Sequence, residues 1–255
     1  MKTIIKYILL TALRDWLFLG LIIAIFFCLG LAMFTGGTAL TEQENMALVL
    51  FAGGVRFILA IGFIVFICFH IRRAFETKEI ESILSKPISR FKFILGYFLG
   101  FTILEIIAVI IPFSIIFTFH NINYDGFLAW TLSLILELSI ISAFSLLTAF
   151  ILSSATSAVM ANFAFYFVCR LMGFFLIAIY NPNSLAHDNK FSELMLGALK
   201  IISSLIPRLD LFAKSDWLIY GINNNHDWWL FTTQAGISIS LIISMAFLDI
   251  RKKEF

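Results

Sequence analysis

Three charged side chains, Glu105, Glu137 and Arg170, fall inside otherwise apolar runs. Each lies about halfway along its run, so runs that crossed a bilayer would hold all three at similar depth. A lone charge at mid-bilayer costs at least ~2.5–3.5 kcal/mol on insertion scales, so all three should face protein or water. The simplest arrangement pairs Arg170 with Glu137, with Glu105, or with both. Asn162, Tyr166 and Arg170 recur every four residues and give one helix a polar stripe toward that centre. Three chemistries suit such a cluster: an ion pair locking helices together, a polar lining or gate for a transport path, and a proton relay. The sequence leaves all three open.

The elements that would position these residues follow from composition. Of 255 residues, 61% are hydrophobic and only 13% charged, which excludes an ordinary soluble globular chain. The fold class expected is an all-α integral membrane protein with six transmembrane helices, at 16–34, 54–71, 93–119, 127–152, 158–180 and 228–249. Residues 1–15 mix Lys2, Lys6 and Arg14 with isoleucines and leucines, the pattern of an N-terminal interfacial helix on an anionic leaflet. A signal peptide is set aside because the apolar run that follows is uncharged and long enough to span. Residues 35–46 and 120–126 form short outer loops, and 153–157 a tight inner turn. Arg56, near the outer end of its span, is expected to snorkel to the headgroups. Residues 181–227 form an outer segment with one or two short helices at the surface. Trp217, Trp228 and Trp229 belong to an outer aromatic belt.

Charge sets the orientation. The N-terminus, the segment between the second and third spans and the C-terminus together hold twelve of the 18 basic residues. The two short outer loops hold none. The positive-inside rule therefore places both termini in the cytoplasm.

Several chemistries find no residues to carry them. Cys28, Cys68 and Cys169 all lie in apolar runs without metal-ligand spacing, and the four histidines are scattered. No metal, cofactor, catalytic or nucleic-acid-binding pattern emerges. No Gly-Lys dipeptide occurs, so the chain has no phosphate-cradling loop for ATP. Hydrolase motifs are missing too, and no inverted repeat is detectable.

The stretch between the second and third spans, residues 70–100, is the most specific. Glu76, Glu79 and Glu81 precede Ile83 and Leu84, then Pro87, Ile88, Ser89 and Arg90, before apolar sequence resumes with Leu95 and Gly96. Physically this is a short amphipathic helix on one membrane face, stopped near a proline. The order resembles the segment after the second helix of type 2 ABC transporter permeases. There an acidic residue precedes Gly-Thr-Leu-Glu, two leucines, a small residue, Pro, Ser and Arg, and the next helix opens with Leu-Gly-Lys. Here Glu76, Ile80 and Glu81, Ile83 and Leu84, Ser85, Pro87, Ser89 and Arg90, and Leu95 and Gly96 match. Lys78 and Glu79 depart from the Gly-Thr pair, and Tyr97 from the lysine.

The resemblance implies that 76–90 is a cytoplasmic coupling helix seated in a groove of an ATPase subunit. It implies a unit of two permeases, the same or related chains, with two ATP-binding-cassette subunits that hold ATP and Mg and hydrolyse the ATP. The path would run between the permeases, with Asn162, Tyr166 and Arg170 as candidates for the pore or dimer seam. Export across a bacterial cytoplasmic membrane is carried over with it. The alternatives are an ion-coupled carrier using Glu105 and Glu137, or a scaffold that only docks partners.

Overall fold

The structure, a computed structural model, describes residues 2–80, 89–120, 122–180, 197, 206–212, 214–222 and 225–252. Among these every regular element is a helix. Helix α1 (Lys2–Arg14) leads into α2 (Trp16–Gly37), and α3 (Gln43–Glu76) follows. Next come α4 (Arg90–Phe117), α5 (Tyr124–Ile151) and α6 (Ala155–Tyr180). A 3-10 turn at Leu209–Leu211 and a short helix α7 (Trp217–Tyr220) precede the last helix, α8 (Asn225–Lys252). Six helices, α2 to α6 and α8, are long and apolar enough to cross a membrane.

Helix α5 is the axis of the bundle. It packs against α3, α4, α6, α7 and α8, and 78% of its most apolar stretch is buried, against 17% for α2. Capping marks where these helices start. The Asp15, Ser89 and Asn123 side chains accept the Leu17, Lys92 and Gly126 amides at the openings of α2, α4 and α5. The amphipathic α1 buries Ile4, Ile8 and Ala12, one residue per turn, against α4. Gly96 and Gly100 of α4 leave the space that Ile4 and Ile8 fill.

Both ends of the bundle are tied by polar contacts. At one, Tyr7 Oη donates to Glu79 Oε2 at 2.6 Å, and Arg90 Nη1 donates to the carbonyls of Ile250 and Arg251 at 2.6 and 3.0 Å. These contacts gather α1, the end of α3, the start of α4 and the end of α8, with most of the described basic residues. At the other end the His120 amide donates to Glu44 Oε1 at 2.9 Å, and the Asn123 amide to the Leu218 carbonyl at 2.9 Å.

Several expectations need correction. The second long helix begins at Gln43 rather than near 54, and it extends to Glu76 rather than 71. Gly53 and Gly54 are not its start: a side chain at Gly54 would run into Cys28 of α2, and one at Gly62 into Leu21. Glycine there permits close helix contact. Arg56 consequently lies well inside α3, fully buried, and does not snorkel to a surface.

The described part of the expected outer segment folds against the bundle rather than lying loose on a surface. Leu209, Phe212, Trp217 and Leu218 are buried, packed around α5, α6 and the start of α8. Trp217 stacks near Phe231 rather than joining an outer belt. Glu81, Ile83, Leu84 and Pro87 of the expected coupling helix lie outside the described residues, as does most of 181–205.

Candidate functional site

The polar side chains of the core are strung along α5. Ser133, Glu137, Ser139, Ser142, Ser145 and Thr148 are all buried on this one helix. They form three nodes, two joining α5 to α3 and α6 and one joining it to α4.

The first node is a charge cluster of two arginines on one carboxylate. Glu137, midway along α5, accepts Arg56 Nη1 on Oε2 at 2.7 Å and Arg170 Nη1 on Oε1 at 2.9 Å. Arg56 comes from α3 and Arg170 from α6, so Glu137 ties three helices together. Arg56 also donates to the Phe212 carbonyl at 2.8 Å, to Ser133 Oγ at 3.0 Å and to the Trp130 carbonyl at 3.3 Å. Its guanidinium lies over the Trp130 ring, and that of Arg170 over Phe57. The Phe212 carbonyl, from the tucked-in segment before α7, is thus part of the cluster.

Arg170 is the more open of the two, its side chain 13% exposed against none for Arg56. Among the described residues the cluster therefore holds one more positive charge than negative. Each guanidinium gives this carboxylate one charge-assisted hydrogen bond, a type roughly twice as strong as a neutral one.

Glu105 forms the second node and has no cation among the described residues. Its carboxyl receives the hydroxyls of Ser142 and, at 3.4 Å, Ser139. Arg170 thus pairs with Glu137 and not with Glu105, and the partner that sequence reasoning omitted is Arg56. An uncompensated carboxylate at such depth is costly, whereas a neutral acceptor of the same shape is not. Glu105→Gln is therefore expected to change stability by less than ~1 kcal/mol, since both hydroxyls keep an acceptor. Thermal unfolding in lipid nanodiscs measures this. A loss as large as that from altering Glu137 would contradict it.

The third node is Asn162 on α6. Its Oδ1 accepts Ser145 Oγ at 2.9 Å, and its Nδ2 donates to Thr148 Oγ1 at 2.6 Å and to the Ala158 carbonyl at 2.7 Å. Cys68 of α3 lies 3.5 Å from the same Nδ2. Tyr166 is buried edge-on to Phe57, its hydroxyl close to Glu137 without a well-formed hydrogen bond. Asn162 and Tyr166 thus turn into the packing of one chain, and of the stripe only Arg170 reaches partial exposure. The outer face of α6 is instead apolar, with Phe167, Leu171 and Phe174 exposed.

The coupling-segment residues that are described are partly engaged. Glu76 is exposed at the end of α3, and Glu79 holds Tyr7. Burial and that bond raise the Tyr7 phenol above its ordinary value. Ser89 caps α4, and Arg90 holds the final carbonyls of α8.

Arg56, the α5 serines and the Phe212 carbonyl were the parts not foreseen. The serines had one available signal: Ser139, Ser142, Ser145 and Thr148 repeat every three residues on one helix. Among the described residues no three His, Cys, Asp or Glu side chains are placed to hold a metal ion. In comparison with known proteins, the chain matches no family model and no curated protein.

Proposed function

We propose that this chain is the membrane-spanning permease subunit of an ATP-driven exporter of the type 2 ABC class. The observation that carries the reading is the ordered run from Glu76 to Arg90, set between two long apolar helices. The bonds from Tyr7 to Glu79 and from Arg90 to the carbonyls of Ile250 and Arg251 support the reading, because they join four segments rich in basic residues, the charge pattern expected of a cytoplasmic face. Partner ATPase subunits hold ATP and Mg, and a second permease completes the path.

Force enters at Glu76 and travels along α3, an unbroken helix of 34 residues, to Arg56. The distance is about 30 Å at 1.5 Å per residue. At Arg56 the triad with Glu137 and Arg170 links α3 to α5 and α6, so displacement of α3 is transmitted rather than absorbed. A carrier that exchanges protons at Glu137 is a weaker reading, because that carboxylate sits between two guanidiniums. On this account the triad is mechanical.

The test is affinity purification of the full-length chain from its native membrane, wild type against Glu76→Lys with Glu81→Lys. Arg90 is left alone because reversing it would release the end of α8. A Walker-motif ATPase should accompany wild type and be depleted about tenfold or more by the double reversal, the scale of two lost charge-assisted contacts. Recovery of no such ATPase with wild type, or equal recovery with both, overturns the assignment.

A further inference from the structure

At the basic end, a cavity of about 650 Å³ opens between α1, the start of α2 and the end of α3. Its volume falls within the ~300–1,000 Å³ range of small-ligand sites. Four charged side chains line it: Arg14, Asp15, Arg73 and Glu79. The described ion pairs of the chain involve neither arginine. The carboxylates are each used on one oxygen only, Asp15 Oδ1 by the Leu17 amide and Glu79 Oε2 by Tyr7. Two free guanidiniums and two free carboxylate oxygens therefore face a common space.

The rest of the lining also suits a ligand. His70 walls the inner side of the cavity, more than nine-tenths buried, with its ring packed among Tyr7, Phe66, Tyr97 and Phe101. Trp16, 83% exposed, stands at the rim beside exposed Leu10, an aromatic and an aliphatic group placed where acyl chains would leave the site. Balanced charge distinguishes this cavity from a simple cationic patch. A purely anionic ligand would be repelled by Asp15 and Glu79, whereas a ligand carrying both signs meets a partner for each.

We propose that this cavity binds the headgroup of a zwitterionic aminophospholipid, its phosphate against Arg14 and Arg73 and its primary ammonium against Asp15 and Glu79. The bound lipid would wedge the amphipathic α1 against α3. The proposal does not depend on an ATPase docking at 76–90.

The experiment places the full-length chain in nanodiscs of equal phosphatidylethanolamine, phosphatidylcholine and phosphatidylglycerol and reads retained lipid by native mass spectrometry. Phosphatidylethanolamine should be retained in preference to the other two, and excess inorganic phosphate should not displace it. Arg73→Gln should weaken retention about tenfold, the effect of one lost charged contact. Lys92→Gln, an exposed cation outside the cavity, should leave it unchanged. If Arg73→Gln does not fold, Arg14→Gln at an exposed position serves the same purpose. Retention of phosphatidylglycerol or phosphatidylcholine at or above that of phosphatidylethanolamine overturns the proposal. So does displacement by phosphate, or undiminished retention in a folded arginine variant.

Discussion

Glu137→Gln is expected to be the most damaging single substitution in the core, costing about 3–5 kcal/mol, the scale of removing one partner from a buried ion pair. The reason is the charge count. Glu137 is the single described carboxylate on both Arg56 and Arg170, so its neutralisation leaves two guanidiniums a few ångströms apart inside the bundle. Removing either arginine instead leaves a one-to-one pair. Arg170→Met should therefore cost least, because that side chain is partly exposed. Arg56→Met should fall between, because it also abandons the Phe212 carbonyl and Ser133. The double variant Arg56→Met with Glu137→Gln should be more stable than Glu137→Gln alone, a coupling that additive effects would not give. Denaturant or thermal unfolding in nanodiscs reads the ranking. Equal losses for the three single variants would mean that the cluster is held by packing rather than by charge.

The second large effect is expected at Gly126. A methyl group there would overlap the backbone carbonyl of Trp217, and backbone cannot move aside as a side chain can. Next to it, Gly221 holds a positive φ of 74° against Asn123, so the turn on the other side of this contact is equally fixed. Gly126→Ala should cost about 3 kcal/mol, the upper end of ordinary overpacking. It should also loosen the segment that delivers the Phe212 carbonyl to Arg56, seen as faster proteolysis around residues 206–222. Gly236→Ala is the control, since nothing lies within 4 Å of an added methyl on that exposed face of α8. It should be neutral or slightly stabilising, as alanine favours helix over glycine. If the two alanine variants behave alike, the contact between α5 and α7 does not hold the bundle.

The six long helices were legible because hydropathy over twenty residues is a strong signal that tertiary context rarely overrides. Depth alone gave Arg170 a carboxylate partner, Glu137, Glu105 or both, and the structure selects Glu137. Arg56 escaped the same logic for a local reason. The second span, expected at 54–71, put Arg56 near an end where a cation needs no partner. Gly54, with Gly62, serves instead as a close crossing with α2, a property of two helices that one helix's sequence does not display. The Phe212 carbonyl could not have been found at all, because a backbone acceptor has no residue-type signature. Trp217 was misplaced for a related reason: an aromatic near an apolar boundary has the same composition signal on an outer belt or folded back into the core. In the segment 76–90, residue order suggested a docking surface. It did not reveal that Glu79 and Arg90 would be engaged within the chain.

On the proposed function, an ATPase subunit docks where α3 passes into α4. Its most direct test places a photo-crosslinking residue at Glu81, and in a separate variant at Thr38 beyond the end of α2, in the full-length chain in its native membrane. A crosslink from Glu81 to a protein carrying a nucleotide-binding motif is expected, and none from Thr38. A crosslink to such a protein from Thr38 but not from Glu81 would reverse the orientation. If neither position reaches a nucleotide-binding protein, the permease reading is contradicted.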